Sequence, residues 1–316
     1  MKIFGLYWGI RLRNLGFFEA ANPGLENGGL FDYSKNKSLE KFRRINVPKT
    51  FFLDFPYSLV EIEPKLKEAG ISFPLVVKPD FGERGREVEF IGDMEILTKY
   101  FSDKNQGRYL LQEYLGEGFE FGVFFTKDPK DNQATITSLT LKIPLQVIGD
   151  GQMDIKKLVI SHPRASRYPH EIMYSDLSYV PLKNELVKLS QKGNHCKGAV
   201  FLDCSDYIDE DMVAAFERIC APFEGFFYGR LDVKVKDWED LWEDERVRII
   251  EVNGCNSEPI HIYSPENTYL NALKSVKYHF SVMAGIAKSN LESHKNSSDL
   301  SVVWANYLNF RKSRKL

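Results

Sequence analysis

The sequence predicts an α+β fold. Short apolar segments typical of strands begin near Phe73, and amphipathic segments typical of helices separate them without the strict strand–helix–strand alternation of a doubly wound sheet. Hydrophobic residues make up 43% of the 316 residues and charged residues 27%, which are ordinary values for a globular chain. We therefore expect packed domains built around apolar cores.

The first predicted helix covers residues 35–45, because Leu39 and Phe42 follow a helical spacing and Ser34 can cap its start. Further helices are predicted at residues 93–101, 182–191, 209–221 and 266–287. Strands are predicted at residues 75–77, 87–91, 109–114, 120–125, 135–143, 158–161, 226–235 and 246–252.

Charge and cysteine content restrict the class of protein. The chain has 42 Lys and Arg against 44 Asp and Glu, so binding of nucleic acid mainly through phosphates is not expected. The apolar run at residues 4–10 is too short to cross a bilayer, and no small-residue cleavage site follows it. The four cysteines form no CxxC pair, and a reducing cytoplasm is the expected location.

Two pairs of polar residues lie in the last two predicted strands. Arg230 and Asp232 are two residues apart and therefore face one side of a strand, as do Glu251 and Asn253 on the next strand. If these strands pair antiparallel, one face gathers a guanidinium, two carboxylates and an amide, and such oxygen ligands suit Mg²⁺. Each pair alone is also compatible with polar residues that are simply exposed on the protein surface. Charges in strands otherwise rich in Phe, Val and Ile are costly, however, unless they are paired or bound to a metal.

Lys78 ends an apolar strand and precedes a loop that contains two glycines and two arginines. Gly82 and Gly85 let backbone N–H groups approach a phosphate closely. Arg84 and Arg86 could add bidentate contacts to the same phosphate. The loop is not a Walker A loop, since no Gly-Lys-Ser/Thr follows. The residues themselves leave two interpretations of Lys78 open, an edge residue that points at water and a ligand for an anion.

Residues 109–115 form a predicted strand that leads into a glycine-containing hinge at residues 116–118. Backbone groups at such a hinge can hydrogen-bond an adenine, and Glu120 just beyond it could accept from ribose hydroxyls. A solvent-facing hairpin explains this segment equally well.

Together, and in this order, these motifs resemble the ATP-grasp superfamily over residues 34–263, with spacing most similar to the D-alanine–D-alanine ligase branch. The resemblance implies that a nucleotide lies between a small lobe and a larger C-terminal lobe. The implied ATP-binding residues are Lys35 and Lys78 for the phosphates, the loop with Gly82, Arg84 and Gly85, then Glu113, Tyr114 and Leu115 for the adenine, and Glu120 for the ribose. The implied ligands of two Mg²⁺ ions are Asp232, Glu251 and Asn253, and Arg230 would stabilise the transition state.

Two further segments, residues 147–151 with the apolar run that follows and residues 193–198, are similar to cyanophycin synthetase and related amino-acid-adding ligases. In those enzymes both segments lie around the acceptor end of the site. The resemblance therefore implies that Asn194 and His195 contact the substrate. This chain departs from the family pattern at Cys196, where a small hydroxyl residue is usual.

Three other residues are candidates for substrate binding. Ser257 and His261 follow the second metal strand, where a substrate carboxylate or amine would sit, and Arg164 could clamp a carboxylate. His261 is also compatible with a hydrogen-bonded structural histidine, and Arg164 with a solvated loop arginine.

The expected organisation has four parts. Residues 1–69 form a shortened N-terminal region, residues 70–114 the small lobe, residues 115–290 the C-terminal lobe with the metal site, and residues 291–316 a polar and basic tail. Members of the family have a full α/β domain before the first ATP lysine, whereas this chain has about 34 residues there. Part of the substrate platform is thus missing or supplied by another subunit, which makes a homo-oligomer one option.

The expected function is an ATP- and Mg²⁺-dependent ligase that joins a small-molecule carboxylate to an amine through an acylphosphate. Two alternatives stay open: a kinase of the same fold that phosphorylates a hydroxyl, and a non-catalytic partner protein that binds nucleotide. The amphipathic start and the basic residues 311–315 could also contact an anionic membrane, although a solubilising tail explains those basic residues more simply.

Overall fold

A computed structural model describes residues 2–82, 85–104, 106–174, 176–293, 305–308 and 310. The predicted α+β class is confirmed, since helices and antiparallel sheets are mixed along the chain. The α-helices are α1 (Lys2–Arg11), α2 (Phe17–Ala21), α3 (Lys35–Leu39), α4 (Ile62–Glu68), α5 (Met94–Phe101), α6 (Ile155–Ser161), α7 (Glu210–Cys220) and α8 (Tyr269–Glu292). The strands are β1 (Thr50–Asp54), β2 (Leu75–Pro79), β3 (Glu89–Ile91), β4 (Arg108–Glu113), β5 (Phe119–Lys127), β6 (Ala134–Ile143), β7 (Gln146–Ile148), β8 (Leu186–Lys188), β9 (Val200–Asp203), β10 (Tyr228–Val235) and β11 (Arg248–Asn253).

The smaller sheet has four antiparallel strands in the order β1-β4-β2-β3. On β2, Leu75 and Val77 point into an apolar core that also takes side chains from α4 and α5. The edge strand β1 lies within residues 1–69, so part of that region packs as a strand of this sheet.

The larger sheet has five antiparallel strands in the order β11-β10-β5-β6-β9. Its central strand β5 is buried on both faces: Phe121 and Val123 pack in the core beneath α7, whereas Phe124 packs on the other side with residues of α2 and α8. β10 and β11 pair antiparallel, as expected, with Asp232 opposite Glu251 and Arg230 opposite Asn253. The four polar groups are thus placed together on adjacent strands.

Residues 145–189 form an insertion between β6 and β9, with a two-stranded sheet of β7 and β8 and an apolar core drawn from its own side chains. Two sequence predictions are wrong here. Residues 158–161 belong to helix α6, whose start is capped by Asp154, and not to a strand. Residues 182–191 are not helical, because residues 186–188 form β8 and pair with β7.

The chain before β1 packs against the larger sheet. α2 contacts α8, and the side-chain oxygen of the buried Asn22 accepts hydrogen bonds from the backbone N–H groups of Phe227 and Tyr228, both at 2.9 Å. Helix α3 begins after the predicted cap Ser34 but ends at Leu39, short of the predicted residue 45. Across the described ranges, every helix is too short or too polar to span a bilayer.

Candidate active site

A cleft of about 1160 Å³ lies between the two sheets and the insertion. Most of the residues singled out in the sequence line it: Lys35, Lys78, Gly82, Gly85, Glu113, Tyr114, Leu115, Glu120, Asn194, His195, Arg230, Asp232, Glu251, Asn253 and Ser257. Arg84 lies outside the described residues. Arg164 and His261 are not among the lining residues.

Lys78 comes from the smaller sheet and reaches across to the larger one. Its buried ammonium donates to Gln112 Oε1 at 2.9 Å and to the backbone oxygen of Ile250 at 2.8 Å, the residue before Glu251. Burial lowers the pKa of Lys78 to about 8, although attraction to Glu251 opposes the shift. The lysine is therefore a buried cation whose hydrogen-bond partners here are neutral, and an added anion would stabilise its charge.

A charged network occupies the facing side of the cleft on the larger sheet. Arg230 Nε donates to Asp232 Oδ1 at 2.7 Å, and Lys142 Nζ lies 3.0 Å from Asp232 Oδ2 and 2.8 Å from Glu120 Oε1. Burial alone would raise the pKa of Asp232, but Arg230 and Lys142 lower it to about 2. Each buried charge in this network therefore has an opposite charge in contact.

Lys142 is a buried, cleft-lining residue that the sequence did not single out. It lies on β6 directly opposite Glu120 on β5. Burial alone would lower the pKa of Lys142, but Asp232 and Glu120 raise it. The sequence does show a lysine near the end of an apolar strand. Its carboxylate partners, however, can be identified only when the register between β5 and β6 is known.

The proposed metal ligands differ in the number of hydrogen bonds and salt bridges that they already make. Asp232 accepts from Arg230, Lys142 and Asn253, the last through Asn253 Nδ2 at 3.3 Å. Within the described part of the chain, the Glu251 carboxylate has no hydrogen bond or salt bridge, and Asn253 keeps its side-chain oxygen for a ligand. A site with two carboxylates and one amide suits a Mg²⁺ ion that shares its other positions with phosphate oxygens and water. The residues fit such an ion best at Glu251 and Asn253.

No group of three or more His, Cys, Asp or Glu side chains arranged for a metal is found in the described ranges. The candidate Mg²⁺ ligands, two carboxylates and one amide, would leave several positions of an octahedral ion open. An ion here would depend on oxygen atoms brought by a substrate.

The hinge between the two sheets follows β4. Glu113 Oε1 accepts from the backbone N–H of Lys49 at 2.8 Å, so this carboxylate anchors β1 to β4. The ring centroids of Tyr114 and Phe90 lie 5.7 Å apart. The ammonium of Lys234 lies 5.2 Å from the centroid of the Tyr114 ring. An apolar and aromatic wall of this kind can hold a planar base.

Lys35 lies at the start of α3 beside the glycine loop. Its ammonium donates to the backbone oxygen of Gly82 at 2.7 Å, and Ser34 Oγ donates to Asp80 Oδ1 at 2.8 Å. Gly85 has a φ of +66°, which disfavours any side chain, and faces the Asn194 amide across the cleft. Lys35 is thus hydrogen-bonded to the loop of the smaller sheet, while its helix α3 also contacts β11 of the larger sheet.

The other end of the cleft contains the predicted acceptor residues. The ring of His195 stacks on Tyr263 with centroids 5.3 Å apart, and Tyr263 donates to the carboxylate of Glu258. Asn194 Oδ1 accepts from the backbone N–H of Cys196 at 2.9 Å, which holds this turn in place.

Arg164 and His261 have other partners. The guanidinium of Arg164 donates to the backbone oxygens of Gly198 and Ala199, at 2.6 and 2.5 Å. His261 Nε2 lies 3.0 Å from Ser275 Oγ on α8. Neither side chain lines the cleft. His261 is a hydrogen-bonded histidine, as its alternative interpretation expects, whereas Arg164 is held by backbone oxygens and is not the solvated loop arginine that was its alternative.

Neither a protein-family model nor a curated protein sequence matches the chain. Solved structures similar to it include a bifunctional glutathione synthetase from Pasteurella multocida, with 18% identity over 78% of this chain and 36% of that chain and a TM-score of 0.42. Others are the VanG D-Ala:D-Ser ligase from Enterococcus faecalis, with 13% identity over 81% of this chain and 61% of that chain, and a D-alanine–D-alanine ligase from Bacillus anthracis, with 16% identity over 83% and 68%. Both ligases have TM-scores of 0.44.

The chain spans only about a third of the length of that glutathione synthetase and about three fifths of that of the VanG ligase. At such low identities and TM-scores, these likenesses assign neither a family nor an activity. The cleft between a smaller and a larger antiparallel sheet is consistent with the ATP-grasp fold expected from the sequence.

Proposed function

We propose that the chain is an ATP-grasp ligase that uses ATP and Mg²⁺ to join a small-molecule carboxylate to an amine. The observation that carries the proposal is one cleft in which Lys78 from one sheet faces Arg230, Asp232 and Glu251 from the other. A polyphosphate with its magnesium requires both signs of charge at one place.

Binding of the phosphates is proposed for Lys78 and Lys35. Lys78 is held at the base of the cleft by Gln112 and Ile250, so its charge is fixed in position before any ligand arrives. Lys35 is hydrogen-bonded to the loop at Gly82, and both line the same cleft as Lys78. The hinge from Glu113 to Leu115 would hold the adenine.

Glu251 and Asn253, with Asp232 beside them, are proposed to hold Mg²⁺, for which the sequence resemblance implies two ions. When bound, the ion neutralises charge on the phosphates. Asp232 itself holds Arg230 in a fixed direction through two hydrogen bonds, of 2.7 and 3.2 Å.

The proposed reaction moves the γ-phosphoryl group of ATP to the substrate carboxylate. The amine then attacks the acyl carbon, and inorganic phosphate leaves. Arg230 is proposed to offset the negative charge that develops on the acyl oxygen, and loss of one such preorganised donor typically lowers the rate on the order of 10²- to 10³-fold. Asn194, His195 and Ser257 lie where they could contact the two substrates.

Glu251→Gln tests the metal assignment. The substitution removes the charge of a carboxylate that lacks a salt bridge within the described residues, so the fold should persist while Mg²⁺-dependent ATP binding weakens. Calorimetric titration with ATP, with and without Mg²⁺, measures the effect. Glu245→Gln is the matched control, because Glu245 is exposed and outside the cleft. Equal Mg²⁺ dependence in both variants and the parent would refute the assignment.

The ligase reaction itself is tested by a phosphate-release screen of amino acids and small carboxylates, singly and in pairs. A ligase should release phosphate only when a carboxylate and an amine are both present, and mass spectrometry should find the amide. A phosphorylated hydroxyl compound without any amide would instead identify a kinase.

A further inference from the structure

Helix α1 has two different apolar faces. The inner face packs on α8, where the rings of Phe4 and Phe280 lie 5.9 Å apart and a Cβ on Gly5 would come within 3.5 Å of Phe280. Trp8 on the same face is partly buried against the cluster formed by α2 and α8. This face holds α1 against α8.

The outer face of α1 is also apolar. Ile3, Leu6, Tyr7 and Ile10 are exposed by 81%, 57%, 51% and 64%, and their spacing places them on one stripe of the helix. Leu15, exposed by 49%, folds back so closely that a Cβ on Gly9 would lie 2.8 Å from its side chain. Leu15 thus adds one more exposed apolar side chain beside the end of the helix.

The segment that carries this surface contains only positive charges. Residues 1–18 contain Lys2, Arg11 and Arg13 but no Asp or Glu. Both arginines are exposed, and Arg11 is oriented by Tyr7, whose hydroxyl accepts from it at 3.1 Å. A second copy of α1 would bring like charges together with no acid on either helix to pair them. An anionic surface is complementary to the same charges.

We propose that α1 is a docking site for an anionic lipid surface, with the stripe Ile3–Leu6–Tyr7–Ile10 lying among the head groups and the arginines contacting lipid phosphates. An exposed apolar stripe with basic residues beside it is typical of helices that lie in the plane of a membrane interface. Binding of this kind is reversible and is weakened by salt.

Co-sedimentation with vesicles tests the proposal. The full chain should sediment with vesicles of phosphatidylcholine and phosphatidylserine, but much less with phosphatidylcholine alone. The double variant Leu6→Glu/Ile10→Glu should abolish binding, and Arg11→Gln should weaken it by roughly fivefold, the effect of one cation near an anionic membrane. Ile160→Glu is the matched control, because Ile160 is an equally exposed apolar residue, at 67%, on helix α6.

Two outcomes would overturn the proposal. The first is sedimentation that does not depend on phosphatidylserine or is unchanged in the double variant. The second is a dimer in sedimentation velocity that Leu6→Glu/Ile10→Glu converts to a monomer without any vesicle binding, which would assign the stripe to a second copy. Circular dichroism of all variants separates loss of binding from loss of fold.

Discussion

Among the described residues, the two sheets that face each other across the cleft each contribute one buried lysine, and the two lysines differ in the direction of their pKa shifts. Lys142 on the larger sheet contacts two carboxylates, which raise its pKa. Lys78 on the smaller sheet donates to an amide oxygen and a backbone oxygen, and burial lowers its pKa to about 8. The charge of Lys142 is balanced by the carboxylates that it contacts. In the described part of the chain, the charge of Lys78 has only neutral hydrogen-bond partners, so an anionic ligand would stabilise it.

The comparison predicts its largest effect on stability at Lys142. Lys142→Met leaves Glu120 and part of Asp232 without their cation, and breaking a buried ion pair on one side costs about 3–5 kcal/mol. Urea denaturation measures the loss in the free energy of unfolding. Lys188→Met is the control, because Lys188 pairs with Glu117 at the surface and such pairs contribute about 1 kcal/mol or less. Equal losses in the two variants would contradict the assigned role of Lys142.

The next prediction concerns Lys78→Met. The loss in the free energy of unfolding should be smaller than for Lys142→Met. The substitution removes two hydrogen bonds, but it also removes the cost of burying the charge of Lys78, and the two effects oppose each other. ATP affinity should fall by roughly tenfold or more, the effect of one hydrogen bond to a charged group. Calorimetry and urea denaturation of the same samples test both parts. Unchanged ATP affinity would remove Lys78 from the proposed phosphate site.

A smaller effect is expected from pH. Since the pKa of Lys78 is lowered to about 8, its charge is present below that pH and is lost as pH rises through it. ATP affinity should therefore decline above about pH 8, by at most tenfold per pH unit. Lys78→Arg, which stays charged throughout, should flatten this decline. A parent protein with constant affinity up to about pH 9 would show that the lysine keeps its proton.

The sequence predicted the strands with Arg230, Asp232, Glu251 and Asn253 well. Polar residues two positions apart in an apolar segment indicate a strand, and they also indicate that both side chains lie on the same face of it. It did not predict Lys142, because the pairing of Lys142 with Glu120 depends on register between distant strands. The spacing of residues 182–191 looked helical, yet β8 forms there because β7 offers a partner. Local spacing therefore predicted most helices and strands and the side chains that share a face. The contacts of Lys142 and the strand β8 depend on pairing between segments that are distant in sequence.

The insertion at residues 145–189 has an apolar core of its own. Among the described residues, its buried apolar side chains form a cluster whose members all come from the insertion itself. The turn at Asn194 and His195 follows directly after it and lines the cleft. Substitutions within the insertion can thus reshape that wall while the charged network between the sheets stays intact. The core that supports this wall is thus distinct from the cores beneath the two sheets.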